Sequence, residues 1–313
     1  SSDGKLIFLE NQPGTAPVSS ISPGLYLDGS SYEVLFRSPS NDKPSWDCAW
    51  HPDPKHGPER FCANHNRIER IDVVADATLK TWDLSSSGLT IDGLGSGEGN
   101  FSADGRLIAL VAASTSGYSK LFVLDTQRTG SAAIGPVYDL TQESAPLPSN
   151  WRVDTATLSP SGRFLIVHYS EEITSSTGAI SYPPYSDRQR VFEVNRNEAD
   201  SANYLKLSPK SLSGPLCAQD GKLPPEMAAR GFVYSLGHWD VGTNPFLNNA
   251  EVIVGQEHCY NIRKSVPRVK TAGANGIGSV VMVNLSDGAV TSLTDPGPYG
   301  SAEEYANHVS LRN

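Results

Sequence analysis

An all-β fold, a β-propeller of four-stranded antiparallel blades, is predicted for this 313-residue chain by three observations. A turn-then-strand unit recurs along the sequence, and internal repetition at tens of residues is the mark of a modular architecture. Turn formers abound, with 28 Gly and 22 Pro. No stretch carries the sustained 3.6-residue apolar periodicity of a long amphipathic helix; the one helix-like segment is Pro225–Arg230.

Five segments define the repeat: SSDGKLIFLE (1–10), HPDPKHGPERFCANH (51–65), FSADGRLIALVAAS (101–114), LSPSGRFLIVHYS (158–170) and PFLNNAEVIVGQEH (245–258). Each turn carries Gly, Asp, Asn or Pro, which tolerate tight-turn dihedrals, and leads into a β-branched or aromatic run. A second strand follows each: GLYLDG (24–29), RIERIDVV (67–74), KLFVLDT (120–126), QRVFEVN (189–195) and SVVMVNLSDG (279–288). A third follows in EVLFR (33–37), LKTWDL (79–84) and AVTSLTD (289–295). Units of roughly 50–60 residues, each a small antiparallel sheet, predict a propeller rather than the alternative two-sheet sandwich. The expectation is one propeller domain over 1–313 with five readable blades. The long step from Gly162 to Asn249 predicts an insertion or extra blade around 171–235. The chain opens on the turn before a second strand, and YANHVSLRN (305–313) reads as a first strand. Either that strand pairs with the opening residues to close the ring, or flanking sequence is lacking.

Composition narrows the function. A net charge of −9 argues against a general nucleic-acid binder, which needs a basic surface. No apolar run approaches the ~20 residues that span a membrane. No signal peptide precedes Ser1, so any such segment is expected to have been removed or not included. The four cysteines, Cys48, Cys62, Cys217 and Cys259, are compatible with two disulfides, of which Cys48–Cys62 is a plausible local bridge, or with buried thiols. Few Met and Lys among many Ser, Thr, Asn and Gly point to a secreted or periplasmic protein, expected as a monomer. A GxSxG nucleophile elbow, an HExxH zinc motif and a phosphate-binding Gly-rich loop are all missing from the sequence.

In a blade the start of the first strand lies beside the end of the second, on one rim. First-strand starts carry Asp47, Glu98, Arg152 with Asp154, His238 with Asp240, and His308; second-strand ends carry Asn64 with His65, His168 with Tyr169, and Gln256 with His258. His65, His168, His238, His258 and His308 are therefore predicted at one end of the ring, and His51 and His56 at the other. Histidines so gathered can hold a metal or move protons near neutral pH; singly, each reads as well as a solvated or backbone-bonded residue. The loop SYPPYSDRQR (181–190) adds Tyr182, Tyr185, Arg188 and Arg190 as candidate groove residues, or as a plain polar loop.

The units FSADGRLIALV and LSPSGRFLIVHY resemble blades of TolB-type propellers, a likeness that speaks to fold and not to activity. His238, Gln256, His258 and His308 add a narrower likeness to the secreted propeller polysaccharide lyases of the oligogalacturonate and ulvan lyase type. That resemblance implies seven blades, a canyon of histidine, tyrosine and arginine, and, for the oligogalacturonate enzymes, a divalent metal held by histidines and a glutamine. This chain lacks a closely spaced Gln and His ligand pair near its end and shows five clear blades.

β-Elimination on a uronate needs a cation to neutralise the carboxylate, a base for the C5 proton and an acid for the leaving O4. Arg152, Arg312 or a metal at His238, Gln256, His258 and His308 is expected in the first role. His238 or His258 is expected as the base, and Tyr260 or Tyr169 as the acid; His168, Tyr169, Tyr182, Tyr185, Arg188, Arg190 and Arg312 are expected to hold the glycan. Imidazole ligands suit Mn or Zn, and a carboxylate-rich rim suits Ca. The alternative is a non-catalytic propeller that binds a glycan or a protein.

Overall fold

The computed structural model describes residues 1, 3–11, 22–37, 48–64, 66–85, 90–91, 101–114, 117–129, 133, 138–139, 151–171, 173–174, 180–181, 188–199, 204–210, 232–234, 251–258 and 278–292. They form a chain of antiparallel sheets. The first blade is β1 (Leu6–Asn11), β2 (Ser22–Asp28) and β3 (Val34–Arg37), in that order. The second is β4 (Cys48–Trp50), β5 (Glu59–Asn64), β6 (Arg67–Asp72) and β7 (Ala77–Asp83). The third is β8 (Thr90–Ile91), β9 (Leu107–Ser114), β10 (Gly117–Asp125) and β11 (Tyr138–Asp139).

In the fourth blade, β12 (Trp151–Leu158) pairs with β13 (Phe164–Glu171). A ribbon of β14 (Ile173–Thr174) and β15 (Ile180–Ser181) follows, then β16 (Arg188–Arg196) and β17 (Leu205–Lys210), which complete the sheet; β18 (Phe232–Tyr234) pairs with the first part of β16. The fifth blade is β19 (Val252–His258), β20 (Gly278–Asn284) and β21 (Val290–Ser292). A 3-10 turn, Pro54–His56, lies between β4 and β5.

The repeated turn that opens each central hairpin has a local cause. In blades 1, 3 and 4 a serine hydroxyl accepts the backbone N–H five residues on: Ser1 from Leu6 (2.9 Å), Ser102 from Leu107 (2.9 Å) and Ser159 from Phe164 (3.1 Å). Between them Gly4, Gly105 and Gly162 take φ of 72°, 67° and 70°, a left-handed conformation that side chains with a Cβ resist.

The blades stack face to face. Along β9 and β10, Ile108, Leu110, Phe122 and Leu124 pack with Phe61, Ala63, Ile68 and Trp82 of blade 2. The alternate residues Leu107, Ala109, Leu121 and Val123 pack with Leu165, Val167, Tyr169 and Phe192 of blade 4. The period-2 alternation of a strand thus sends one set of side chains to each neighbouring blade, so both faces of blade 3 are apolar. This sequential sandwiching of small meanders is the packing of a β-propeller.

Each seam between blades carries polar ties. Arg60 donates to the Tyr26 hydroxyl at 2.8 Å between blades 1 and 2. Lys80 and Trp82 donate to the carbonyls of Thr126 and Arg128, at 2.6 and 3.0 Å, between blades 2 and 3. The Ala103 N–H meets the Pro160 carbonyl at 2.8 Å between blades 3 and 4. Blade 5 sits directly against blade 4: Ser161 N–H donates to Glu251 at 3.3 Å and Lys210 donates to the Ser286 carbonyl at 3.0 Å. Within blade 2, Cys48 and Cys62 face each other across β4 and β5 and form a disulfide. Cys217, Cys259, segment 225–230 and the closing strand expected at 305–313 lie outside the described residues.

Candidate functional site

Chain direction and the contact between blades 4 and 5 set the geometry of the candidate rim. Ser161 lies in the turn before β13, and Glu251 immediately precedes β19. Both strands start at that contact and run away from it. His168 and Tyr169 of β13, and Gln256 and His258 of β19, are four to six residues beyond their strand starts, roughly 13–20 Å along at ~3.3 Å per residue. They therefore lie at the end of the two blades opposite the turns.

Antiparallel pairing adds the rest of blade 4. Arg152 pairs with Ser170; Tyr169 pairs with both Val153 and Arg188; His168 pairs with Thr155 and Gln189. Arg188 is also opposite Tyr234, and Arg190 is opposite Val167 and Phe232. On β19, Gln256 pairs with Val280 and His258 with Gly278; two residues apart, Gln256 and His258 occupy one face of the strand.

Two of these residues are interior. Tyr169 is fully buried in the cluster between blades 3 and 4, and Arg190 is 4% exposed, its guanidinium 5.0 Å from the centre of the Phe192 ring. Both side chains are largely withdrawn from solvent. His238, Tyr260, His308, Tyr182, Tyr185 and Arg312 lie outside the described residues, as does His65.

At the turn end of the molecule, His51 and His56 come together with two residues that sequence reading did not single out. The rings of His51 and His56 lie 3.9 Å apart between centroids at a 35° tilt, and one ligand atom each from His51, His56 and Glu59 falls within 4.8 Å of the others. Arg70, on β6, forms an ion pair with Glu59, and its Nη2 donates to His56 Nδ1 at 2.8 Å. The Asp53 N–H donates to His51 Nδ1 at 3.1 Å. Burial, helped by the neighbouring His56 and Arg70, pushes the His51 imidazole down to about 4, so it stays neutral at neutral pH.

A second polar cluster ties blades 3 and 4. The Tyr204 hydroxyl donates to the buried Asp125 carboxylate at 2.5 Å, and Arg106 donates to the same oxygen at 3.0 Å. Arg106 and Arg128 both reach Glu198, each at 2.9 Å, and Arg128 stacks on the Tyr204 ring at 3.3 Å. Burial opposes ionisation of Asp125, but the bonds from Tyr204, Arg106 and the Gln127 N–H outweigh it and hold the carboxyl below its usual range. This cluster is fully engaged within the seam and reads as structural.

No protein-family model matches the chain, and no curated protein does. Among solved structures it is similar to dihydro-heme d1 dehydrogenase NirN in complex with DHE, at 13% identity and a TM-score of 0.46 over 93% of this chain and 44% of that one. It is also similar to Kuenenia stuttgartiensis hydrazine synthase, at 16% identity and a TM-score of 0.44 over 96% of this chain and 66% of that one. A third similarity is to the Cps50 (Swd1) β-propeller domain of Myceliophteria thermophila, at 10% identity and a TM-score of 0.34 over 95% of this chain and 84% of that one. The chain thus spans less than half the length of the first of these and about two thirds of the second. The architecture rests on strand order and blade packing, and no activity is inferred from these likenesses. Among the described residues no helix is long and apolar enough to cross a membrane.

Proposed function

We propose that this chain is an exported carbohydrate-active enzyme, a polysaccharide lyase that cleaves a uronate-containing glycan by β-elimination. One observation supports the reading: the contact of Ser161 with Glu251 joins the starts of β13 and β19, which favours a shared far end for Arg152, His168 and Arg188 of blade 4 and Gln256 and His258 of blade 5. The proposed reaction needs the residue types found there. Arg152 offers a fixed positive charge for the uronate carboxylate, which makes the C5 proton more acidic. His258, with His238, is the proposed base. As it takes the C5 proton, the C5–H electron pair forms the C4–C5 double bond, the C4–O4 bond breaks, and O4 takes a proton from an acid, proposed to be Tyr260.

Gln256 and His258 on one face of β19 fit two positions of the expected divalent-metal set, with His238 and His308 as the others. Those residues would hold such an ion, Mn or Zn with imidazole ligands or Ca with a more carboxylate-rich rim, and it would supply charge neutralisation for the substrate carboxylate. The Cys48–Cys62 disulfide supports the exported reading, because such bridges persist in oxidising compartments.

The burial of Tyr169 and Arg190 favours a second reading, in which the rim binds a glycan or a protein without catalysis. Incubation with polyuronates, followed by absorbance of the new unsaturated uronate, separates the two. The lyase reading predicts a rising signal that H258A abolishes. No signal, with glycan affinity retained in H258A, supports the binding reading instead.

A further inference from the structure

The turn of blade 2 departs from the other turns of this protein at four places, and the four departures meet in space. In blades 3 and 4 the backbone N–H of the turn serine bonds the carbonyl of the first strand residue, Ser102 to Leu107 and Ser159 to Phe164. The same bond in blade 2 runs from His51 to Glu59. His51 thus replaces a serine, and Glu59 replaces a buried Leu or Phe. The turn is three residues longer, and the added stretch carries His56. Opposite, Arg70 pairs with Phe61, where the matching positions are Val123 (opposite Ala109) and Val191 (opposite Ile166). An apolar default has been exchanged for two imidazoles, a carboxylate and a guanidinium in one seam, 2% to 37% exposed.

From this convergence we propose that His51, His56 and Glu59 form a binding site for a divalent transition-metal ion, and that Arg70 fills the cation position when the metal is absent. Arg70 always donates, so His56 Nδ1 must present a lone pair to it, and Glu59 presents carboxylate oxygens. His51 Nδ1 likewise accepts, from the Asp53 N–H. A metal takes the pairs that face Arg70 as Arg70 leaves, and at His51 it displaces the Asp53 N–H from Nδ1.

Two imidazoles and one carboxylate suit Zn(II) or Co(II) better than Mg(II) or Ca(II), and leave a coordination position for water. Metal bonds of about 2.0–2.2 Å bring ligand atoms to within ~3.5 Å of each other. The ligand atoms here lie within 4.8 Å, so closure is a movement of about 1 Å. His56, 37% exposed in its side chain on a three-residue turn, is free to make it, and the 24% exposed Arg70 can swing to solvent. Gly105 of blade 3 lies against the Cε1 and Nε2 edge of the His51 ring, where a Cβ would come within 2.4 Å of Cε1, so the glycine lets the ring seat closely against blade 3.

The site is independent of the proposed lyase rim, which is at the other end of the blades. The test is calorimetric titration of the chelator-stripped full chain with Zn(II), and with Co(II) for its visible absorption. In titrations of the H258A background, which removes a ligand of the proposed rim metal, the expected result is one ion bound at this site, at least tenfold weaker when H56A or E59Q is added and tighter when R70Q is added. Circular dichroism checks that each variant is folded. Zinc binding in that background that H56A and E59Q leave unchanged, or none there with or without R70Q, overturns the proposal.

Discussion

Ser161, in the turn before β13, donates its backbone N–H to the side chain of Glu251, the residue before β19, at 3.3 Å. This bond joins two segments 90 positions apart in the chain and sets blade 5 beside blade 4. The far ends of these strands hold His168 on β13 and Gln256 and His258 on β19. Glu251→Ala should lower stability by about 1 kcal/mol, the usual size of one partly exposed hydrogen bond. If the rim is catalytic, turnover should fall further than that loss explains. Urea midpoints compared with rates of unsaturated-product formation check both.

The disulfide is a second point of leverage. Cys48 and Cys62 are 14 positions apart and directly opposed on β4 and β5. Closing a loop of that size restricts the unfolded chain by about 3 kcal/mol. Reduction, or Cys48→Ala with Cys62→Ala, should lower the unfolding free energy from urea titration by that amount, while far-UV circular dichroism of the folded state stays the same.

His51 makes stability depend on pH. Its folded value of about 4 is below the ordinary histidine value of about 6.5, so the unfolded chain binds the proton more readily. Its contribution is complete above about pH 6.5 and is lost as pH falls towards 4, in total about 3 kcal/mol at ~1.4 kcal/mol per unit. Urea unfolding of chelator-treated protein between pH 7 and 4.5 should show this fall, and His51→Asn should flatten it. An equal slope in the variant would assign the effect to other groups.

The seam between blades 3 and 4 should be sensitive at Tyr204. Tyr204→Phe removes the hydroxyl that donates to the buried Asp125 carboxylate and accepts from Arg106. The expected cost is about 1–3 kcal/mol, because the carboxylate loses a charge-assisted partner without solvent to replace it. Chemical denaturation measures it.

Much of the architecture could be read in the sequence because the signals were local. Turns carrying Gly, Asp, Asn or Pro and followed by β-branched or aromatic runs located β1, β5, β9, β13 and β19, and the next apolar runs located β2, β6, β10, β16 and β20. The short strands β4, β8 and β11 carry two or three residues each, too few to show an alternation. β17 contains Pro209, which weakens a strand signal, and β18 is held only by its pairing with β16. The cluster at His51 and His56 was half visible. The histidines were placed at the turn end, but Arg70 joins them only through the pairing of β5 with β6, a tertiary fact. The available clue was His51 in the place of a repeated turn serine. Tyr169 and Arg190 look like groove residues in one dimension; blade stacking takes both indoors, since alternate residues of β13 and β16 face blade 3.

The central claim is that the polar ends of blades 4 and 5 share one rim, and a distance measures it most directly. Spin labels at positions 168 and 256, read by double electron–electron resonance, should lie about 10–20 Å apart, the separation of neighbouring packed sheets plus label length. Labels at 161 and 256 should be farther apart than that pair, since they mark opposite ends of the blades. A 168–256 distance longer than the 161–256 distance would contradict the account.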